Sequence, residues 1–181
     1  NDTLRAVATP GISRAQAGLP EDALVLCCFN STFKISPDIF QVWLRILKQV
    51  PHAVLWLFDK NRQVQGTLRQ CAADQGVAPE RLVFAEYAPL TEHRSRYRLA
   101  DLFLDTAPYN AHTTASDALW VGLPVLTLSG RSFASRVGAS LLSSLGLQEL
   151  ITHTLVDYEN LALTLCNQPM RLQTLREHVM Q

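Results

Sequence analysis

A chain of 181 residues is long enough for one domain with a substantial core, and 48% hydrophobic with 18% charged residues is ordinary for a globular protein. Its formal net charge of zero argues against a nucleic-acid binder whose affinity rests on a broad basic face. No apolar run approaches the roughly 20 residues that cross a bilayer, and no signal peptide is visible. Cys27, Cys28, Cys71 and Cys166 show neither zinc-ligand spacing nor a CxxC redox pair, so four reduced thiols in a cytosolic protein are expected.

Residues 1–20 carry two turn signals, Pro10-Gly11 and Gly18-Leu19-Pro20, and read as a linker with a short helical piece over Ile12–Ala17. Ala23–Phe29 is a continuous apolar run of the kind that forms a strand buried on both faces. After the polar loop Asn30–Lys34, Ser36-Pro37-Asp38 opens a helix that ends before Pro51. The unit then repeats: a strand over Ala53–Phe58, a helix over Asn61–Gln75 closed by Gly76, a strand over Arg81–Ala85 and a short basic helix over Thr91–Ala100. Leu102–Leu104 is a fourth strand, followed by a long loop and a helix to Val121, then a fifth strand over Val125–Leu128. Helices over about Phe133–Leu145, Val156–Cys166 and Pro169–Val179 complete the chain. Strands alternating with helices at this spacing predict an α/β fold, a Rossmann-like parallel sheet with helices on both faces, over residues 21–181. Right-handed crossovers place the loops after every strand on one edge, so Lys34, Asp59, Tyr87–Thr91, Thr106–Thr114 and Ser129–Ser132 are expected there, where ligands sit.

The chain is organised around Asp105–Trp120. Small hydroxyl residues and an aspartate after a short strand read as a helix N-terminus, whose unpaired N–H groups and dipole attract phosphate. The opposing reading is that Thr113 or Thr114 merely caps its helix. Asp117 would be repelled by a diphosphate, but a carboxylate only accepts hydrogen bonds and so suits the two hydroxyls of a ribose. It also has a plainer reading, stabilisation of the helix dipole.

No GxGxxG follows the first strand, and neither a GxxxxGK[ST] loop nor a GxSxG elbow is present. The five histidines make no HExxH and no paired ligand spacing, so no metal site is expected. Lys34 is placed to neutralise a phosphate, against the plain reading of a solvated loop lysine. His93 and Arg96 share a helical face, where an imidazole can stack on a base and a guanidinium can pair with phosphate or base oxygens. Equally, His93–Arg98 reads as a wet basic helix face. Trp43, Trp56 and Trp120 lie in apolar stretches and are expected in the core.

Several stretches now occur together and in order: Gly18–Ala23, Phe29-Asn30 with Lys34-Ile35, Val54–Leu57, Leu99–Asp101 and Leu104–Thr106. They continue with Asn110–Thr114, Asp117–Trp120, Ala134–Val137 and Leu145–Leu147. This series closely resembles the C-terminal half of the catalytic region of protein O-GlcNAc transferases, in a form like the bacterial members, from about Gln16 to near the chain's end. The resemblance implies a GT-B architecture in which this lobe holds most of the UDP. It implies that Lys34 contacts the diphosphate and acts in catalysis, and that His112, Thr113 and Thr114 bind phosphate. Asp117 would hold the ribose, His93 would stack on uracil, and Ala88 with Arg96 would line the base site. Asn30 belongs to the same set. Ser31 and Leu90 stand where the animal enzymes have a glutamine near the phosphates and a lysine near the ribose.

The implied activity is inverting, metal-independent transfer of N-acetylglucosamine from UDP-GlcNAc to Ser or Thr of proteins. The acceptor would be recruited through N-terminal regions, including tetratricopeptide repeats, not seen in this sequence. The chain is therefore expected to be a donor-binding half unable to transfer sugar by itself. Three alternatives stay open: a related transferase adding hexose to Asn, a GT-B nucleotide-sugar epimerase, and an interaction module without UDP affinity.

Overall fold

The computed structural model describes residues 11–180. The first half of the expected linker lies outside them. Six strands form one parallel sheet: β1 (Leu24–Cys28), β2 (Ala53–Phe58), β3 (Leu82–Ala85), β4 (Leu102–Leu104), β5 (Val125–Leu128) and β6 (Ile151–Thr152), in the order β3-β2-β1-β4-β5-β6. The order runs outward in both directions from β1 and β4, so the chain reverses between them and leaves a crevice at their carboxyl ends. The register sets Leu26 beside both Leu55 and Leu102, and Leu104 beside Leu126. Val25–Cys28 are buried, as a central parallel strand covered on both faces requires.

The helices are α1 (Pro37–Gln49), α2 (Arg62–Asp74), α3 (Leu90–Ser95), α4 (Thr113–Trp120), α5 (Val137–Ser144), α6 (Leu155–Cys166) and α7 (Pro169–Val179). The Ser36 hydroxyl caps α1 by accepting from Ile39 N at 3.4 Å, and Pro37 pre-sets its first turn. The buried face of α1 includes Ile39, Trp43, Ile46 and Leu47. Trp43 Nε1 donates to the Tyr158 hydroxyl at 3.2 Å, which donates to the Asp105 carbonyl at 3.0 Å. That chain fastens α1 and α6 to the end of β4.

Several details differ from the sequence reading. Ile12–Ala17 forms turns rather than a helix. Arg14 ties this stretch to the sheet, donating to the Leu99, Glu21 and Ala23 carbonyls and pairing with Asp101 at 3.0 Å. The basic helix divides into α3 and a tighter 3-10 turn, Arg96–Leu99, and the helix expected from Phe133 divides into a 3-10 turn, Phe133–Ser135, and α5. The break in the second case falls at Arg136, whose φ of −120° is not helical. Strand β6 is only two residues long, too short to leave a periodic signal, and is held by Thr152 Oγ1 donating to Thr127 O at 2.9 Å. Trp43 and Trp56 are core, but Trp120 is 44% exposed at the end of α4, contrary to expectation. Among the described residues no helix is long and apolar enough to cross a membrane, and all four cysteines are free thiols.

Candidate functional site: the edge between β1, β3 and β4

The loop after β1 carries Asn30, Ser31 and Lys34, the loop after β3 carries Ala88 and leads into α3, and the loop after β4 leads into α4. These loops share the carboxyl edge of a parallel sheet, with β1 and β4 adjacent at the switch point. His112 is the N-cap of α4, and its side chain makes no capping hydrogen bond among the described residues. Thr113 and Thr114 are its first two residues, so their hydroxyls do not serve as the N-cap. The Thr114 hydroxyl turns instead to Asn30 Oδ1. Neither threonine therefore serves as the N-cap of α4, and a helix N-terminus of this kind presents N–H groups that suit an anion.

Lys34 ends a 3-10 turn, Thr32–Lys34, and its Nζ donates to the Asn110 carbonyl at 3.3 Å while lying 4.1 Å from the Tyr109 ring centroid. Partial burial pulls its pKa below the usual lysine value, and the carboxylate of Asp105 opposes that shift. Tyr109 in turn stacks on His112, with centroids 5.3 Å apart and planes 24° apart. The His112 Nε2 atom is buried and has no hydrogen-bond partner among the described residues. An ammonium, an aromatic ring and an imidazole thus form a row beside the start of α4.

Asp117 lies one turn further along α4 and is 4% exposed. Its Oδ1 stands 3.2 Å from Arg94 Nε. His93 packs against Phe29, Phe58 and Tyr97, with ring centroids 5.4–5.6 Å away. Burial, followed by the positive charge of Arg96, pushes the His93 pKa down to about 4, so the ring is neutral at pH 7. Arg96 is 3% exposed and donates to Glu86 O at 2.7 Å, holding the loop that carries Ala88. The run His93–Arg98 is therefore not a wet basic face: Arg96 is enclosed and Arg94 is paired.

Not every candidate residue presents its side chain to this edge. Asn30 is 2% exposed and its amide is fully engaged inward, with Nδ2 donating to Thr106 Oγ1 at 2.7 Å. Ser31 and Leu90 are exposed, the first just ahead of the 3-10 turn that ends at Lys34 and the second as the first residue of α3. Asp59 has a structural role: its Oδ1 accepts from Asn61 N at 2.6 Å just before α2, and its Oδ2 accepts from the Thr32 hydroxyl.

A cleft of about 430 Å³ beside β3 is lined by Glu86, Tyr87, Ala88, Glu92, Arg96 and Trp56, among others. A larger one, about 520 Å³, lies between Ser36, Ala107-Pro108 and the Ser129–Ser132 loop, which the sequence also places at this edge, and is lined by none of the residues assigned to UDP. Of the candidate residues, the first is lined by Ala88 and Arg96. Among the described residues no three His, Cys, Asp or Glu side chains gather as a metal site would require.

Sequence reasoning did not single out Asp105, Tyr109 or Arg94. Asp105 had a visible signal, a carboxylate ending a wholly apolar strand at the ligand edge. Arg94 had none, because only the fold brings α3 against α4.

Comparison with known proteins bears on the family and the fold. The model for glycosyl transferase family 41 matches residues 6–181. A UDP-N-acetylglucosamine–peptide N-acetylglucosaminyltransferase of Caenorhabditis elegans is 41% identical over 167 residues, 92% of this chain and 14% of that protein. A probable enzyme of the same name from Arabidopsis thaliana is 40% identical over 92% of this chain and 17% of its own length. The chain thus spans less than a fifth of these relatives. A mutant O-GlcNAc transferase of Thermobaculum terrenum superposes with a TM-score of 0.85 at 36% identity, covering 94% of this chain and 32% of that one. The S. aureus protein TarM, at 10% identity and a TM-score of 0.63, shares the fold alone. With a family model matched along nearly its whole length, the chain belongs to glycosyl transferase family 41.

Proposed function

We propose that this chain is the donor-binding lobe of a protein glycosyltransferase that uses UDP-N-acetylglucosamine and transfers the sugar to Ser or Thr of protein acceptors. The observation that carries the reading is the uncapped N-terminus of α4, flanked by the Lys34 ammonium and followed one turn later by the Asp117 carboxylate. Phosphate suits the first pair and the ribose hydroxyls suit the carboxylate. The neutral His93 ring offers an uncharged face for uracil, and Arg96 with the Ala88 backbone offers polar groups for the edge of the base. The names of the C. elegans and A. thaliana relatives support the choice of sugar donor and peptide acceptor.

In this reading the glycosidic bond breaks with negative charge building on the β-phosphate. Lys34 and the first-turn amides of α4 stabilise that charge electrostatically, and no metal is invoked. Lys34 is held by a carbonyl and an aromatic ring, contacts weaker than an ion pair, so turning to a phosphate costs little. Protein acceptors are engaged by parts of the enzyme beyond this lobe.

The test is calorimetric titration with UDP, UMP, GDP and UDP-GlcNAc of the wild type and of Asp117→Ala and His93→Ala. Selective UDP binding weakened by both substitutions supports the reading. Equal affinity for GDP and UDP, or no binding, contradicts it.

A further inference from the structure

Asp105 closes β4 with its side chain fully buried. Its Oδ1 accepts from the backbone N–H groups of Thr106 at 2.8 Å and Ala111 at 2.6 Å, with Asn30 Nδ2 at 3.5 Å. Its Oδ2 accepts from the Thr127 hydroxyl at 2.7 Å. Ala111 immediately precedes the N-cap of α4, so one carboxylate oxygen fixes the backbone that enters the helix. The same oxygen meets Asn30, whose carbonyl oxygen accepts from the hydroxyl of Thr114, the second residue of α4. Asp105 therefore reaches the start of α4 by two routes, through the backbone at Ala111 and through the Asn30 side chain.

The far side of the carboxylate is as tightly defined. A Cβ on Gly138 of α5 would lie 2.5 Å from Thr127 Oγ1 and 2.8 Å from Asp105 Oδ2. Only glycine lets α5 approach this closely. A carboxylate suits the place because every neighbour donates, and an ionised carboxyl group accepts on both oxygens.

We infer that Asp105 is a positioning residue for the donor site, setting the N-terminus of α4 through Ala111 and through an Asn30–Thr114 relay. The inference rests on the UDP reading above. It assigns Asn30 to the relay rather than to contact with the nucleotide. Asp105 itself never meets the ligand, because both of its oxygens are occupied within the fold.

Asp105→Asn keeps the shape but cannot accept at both oxygens, and Asn30→Ala cuts the relay without touching the carboxylate. Hydrogen exchange of the unliganded protein reads the positioning directly. We expect faster exchange at Ala111 in Asp105→Asn and at Ser116, whose N–H bonds to His112 O at 3.1 Å, in both variants. Protection in β1 and β2 should be unchanged. UDP affinity should fall about tenfold in each variant, the loss of about one well-made hydrogen bond. The double variant should lose no more than Asp105→Asn alone, because Asp105 feeds both routes and Asn30 lies on one of them. Unchanged exchange at Ala111 and Ser116, additive losses, or losses that appear only with a general loosening of β1 and β2 would each overturn the inference. Should Asp105→Asn fail to fold, exchange at Ser116 in Asn30→Ala decides. A wild type that ignores UDP while the variants lose local protection would refute the UDP reading and leave the positioning intact.

Discussion

Arg94 of α3 stands 3.2 Å from Asp117 of α4, and the pairing bridges the loops that follow β3 and β4. The carboxylate assigned to the ribose is thus oriented from the side of the base site. Replacing Arg94 by Met leaves a largely buried carboxylate without its guanidinium, a loss of about 1–3 kcal/mol for a group of this kind. We expect Arg94→Met to reduce discrimination between UDP and 2′-deoxy-UDP, because Asp117 is no longer aimed. Titration of both nucleotides against wild type and variant checks this, and an unchanged ratio of affinities would contradict it.

Lys34 is expected to act mainly on the leaving group. In the intact enzyme, Lys34→Ala should lower kcat by about 10²–10³, the scale seen when a preorganised donor to a developing charge is removed. UDP affinity should change by less than about tenfold, since the α4 amides still meet the phosphates. Equal losses in binding and turnover would assign Lys34 to simple ground-state binding.

Two groups shifted by burial, Asp105 wholly and His93 partly enclosed, give opposing pH dependences of stability. Burial holds the Asp105 pKa up at about 7, against 3.8 for a free side chain. Between these values the folded state binds the proton that the unfolded state releases, so stability falls as pH rises from about 4 to 7. The His93 pKa is pushed down to about 4 from 6.5, so the unfolded state binds the extra proton and stability rises with pH between 4 and 6.5. The two slopes oppose one another in the wild type. Urea unfolding at pH 4.5, 5.5, 6.5 and 7.5 should show stability decreasing with pH in His93→Gln and increasing in Asp105→Asn. Matching slopes in both variants would contradict the account.

Gly138→Ala places a methyl group against Thr127 and Asp105, both fixed by hydrogen bonds, so neither can give way freely. A destabilisation of about 1–3 kcal/mol is expected, the usual cost of overpacking a core. A shift in Tm measures it, and an unchanged Tm would mean that α5 moves aside.

The sheet was legible because its strands are apolar runs closed by turn residues: Ala53–Phe58 and Leu102–Leu104 both fall where the sequence places them. The exceptions are local. Ile151–Thr152 is too short for any period, and spacing does not show where the helices tighten at Arg96 or break at Arg136. At the site, Lys34, His93, His112 and Asp117 were visible as chemistry-bearing residues in the loops and helices that follow the strands. Their partners were not. Arg94 is one residue in a basic run until α3 meets α4, and Asn30 looks like a ligand contact until its amide is seen turned toward Thr106 and Thr114. Trp120 was placed in the core by the apolar residues around it, yet it sits at the last turn of α4, on the exposed side.

The most direct measurement is calorimetric titration of the protein with UDP beside GDP, for the wild type and for Asp117→Ala. The account predicts binding selective for UDP and weakened about tenfold or more when the ribose carboxylate is removed. Binding indifferent to the base, or unaffected by Asp117→Ala, would contradict it.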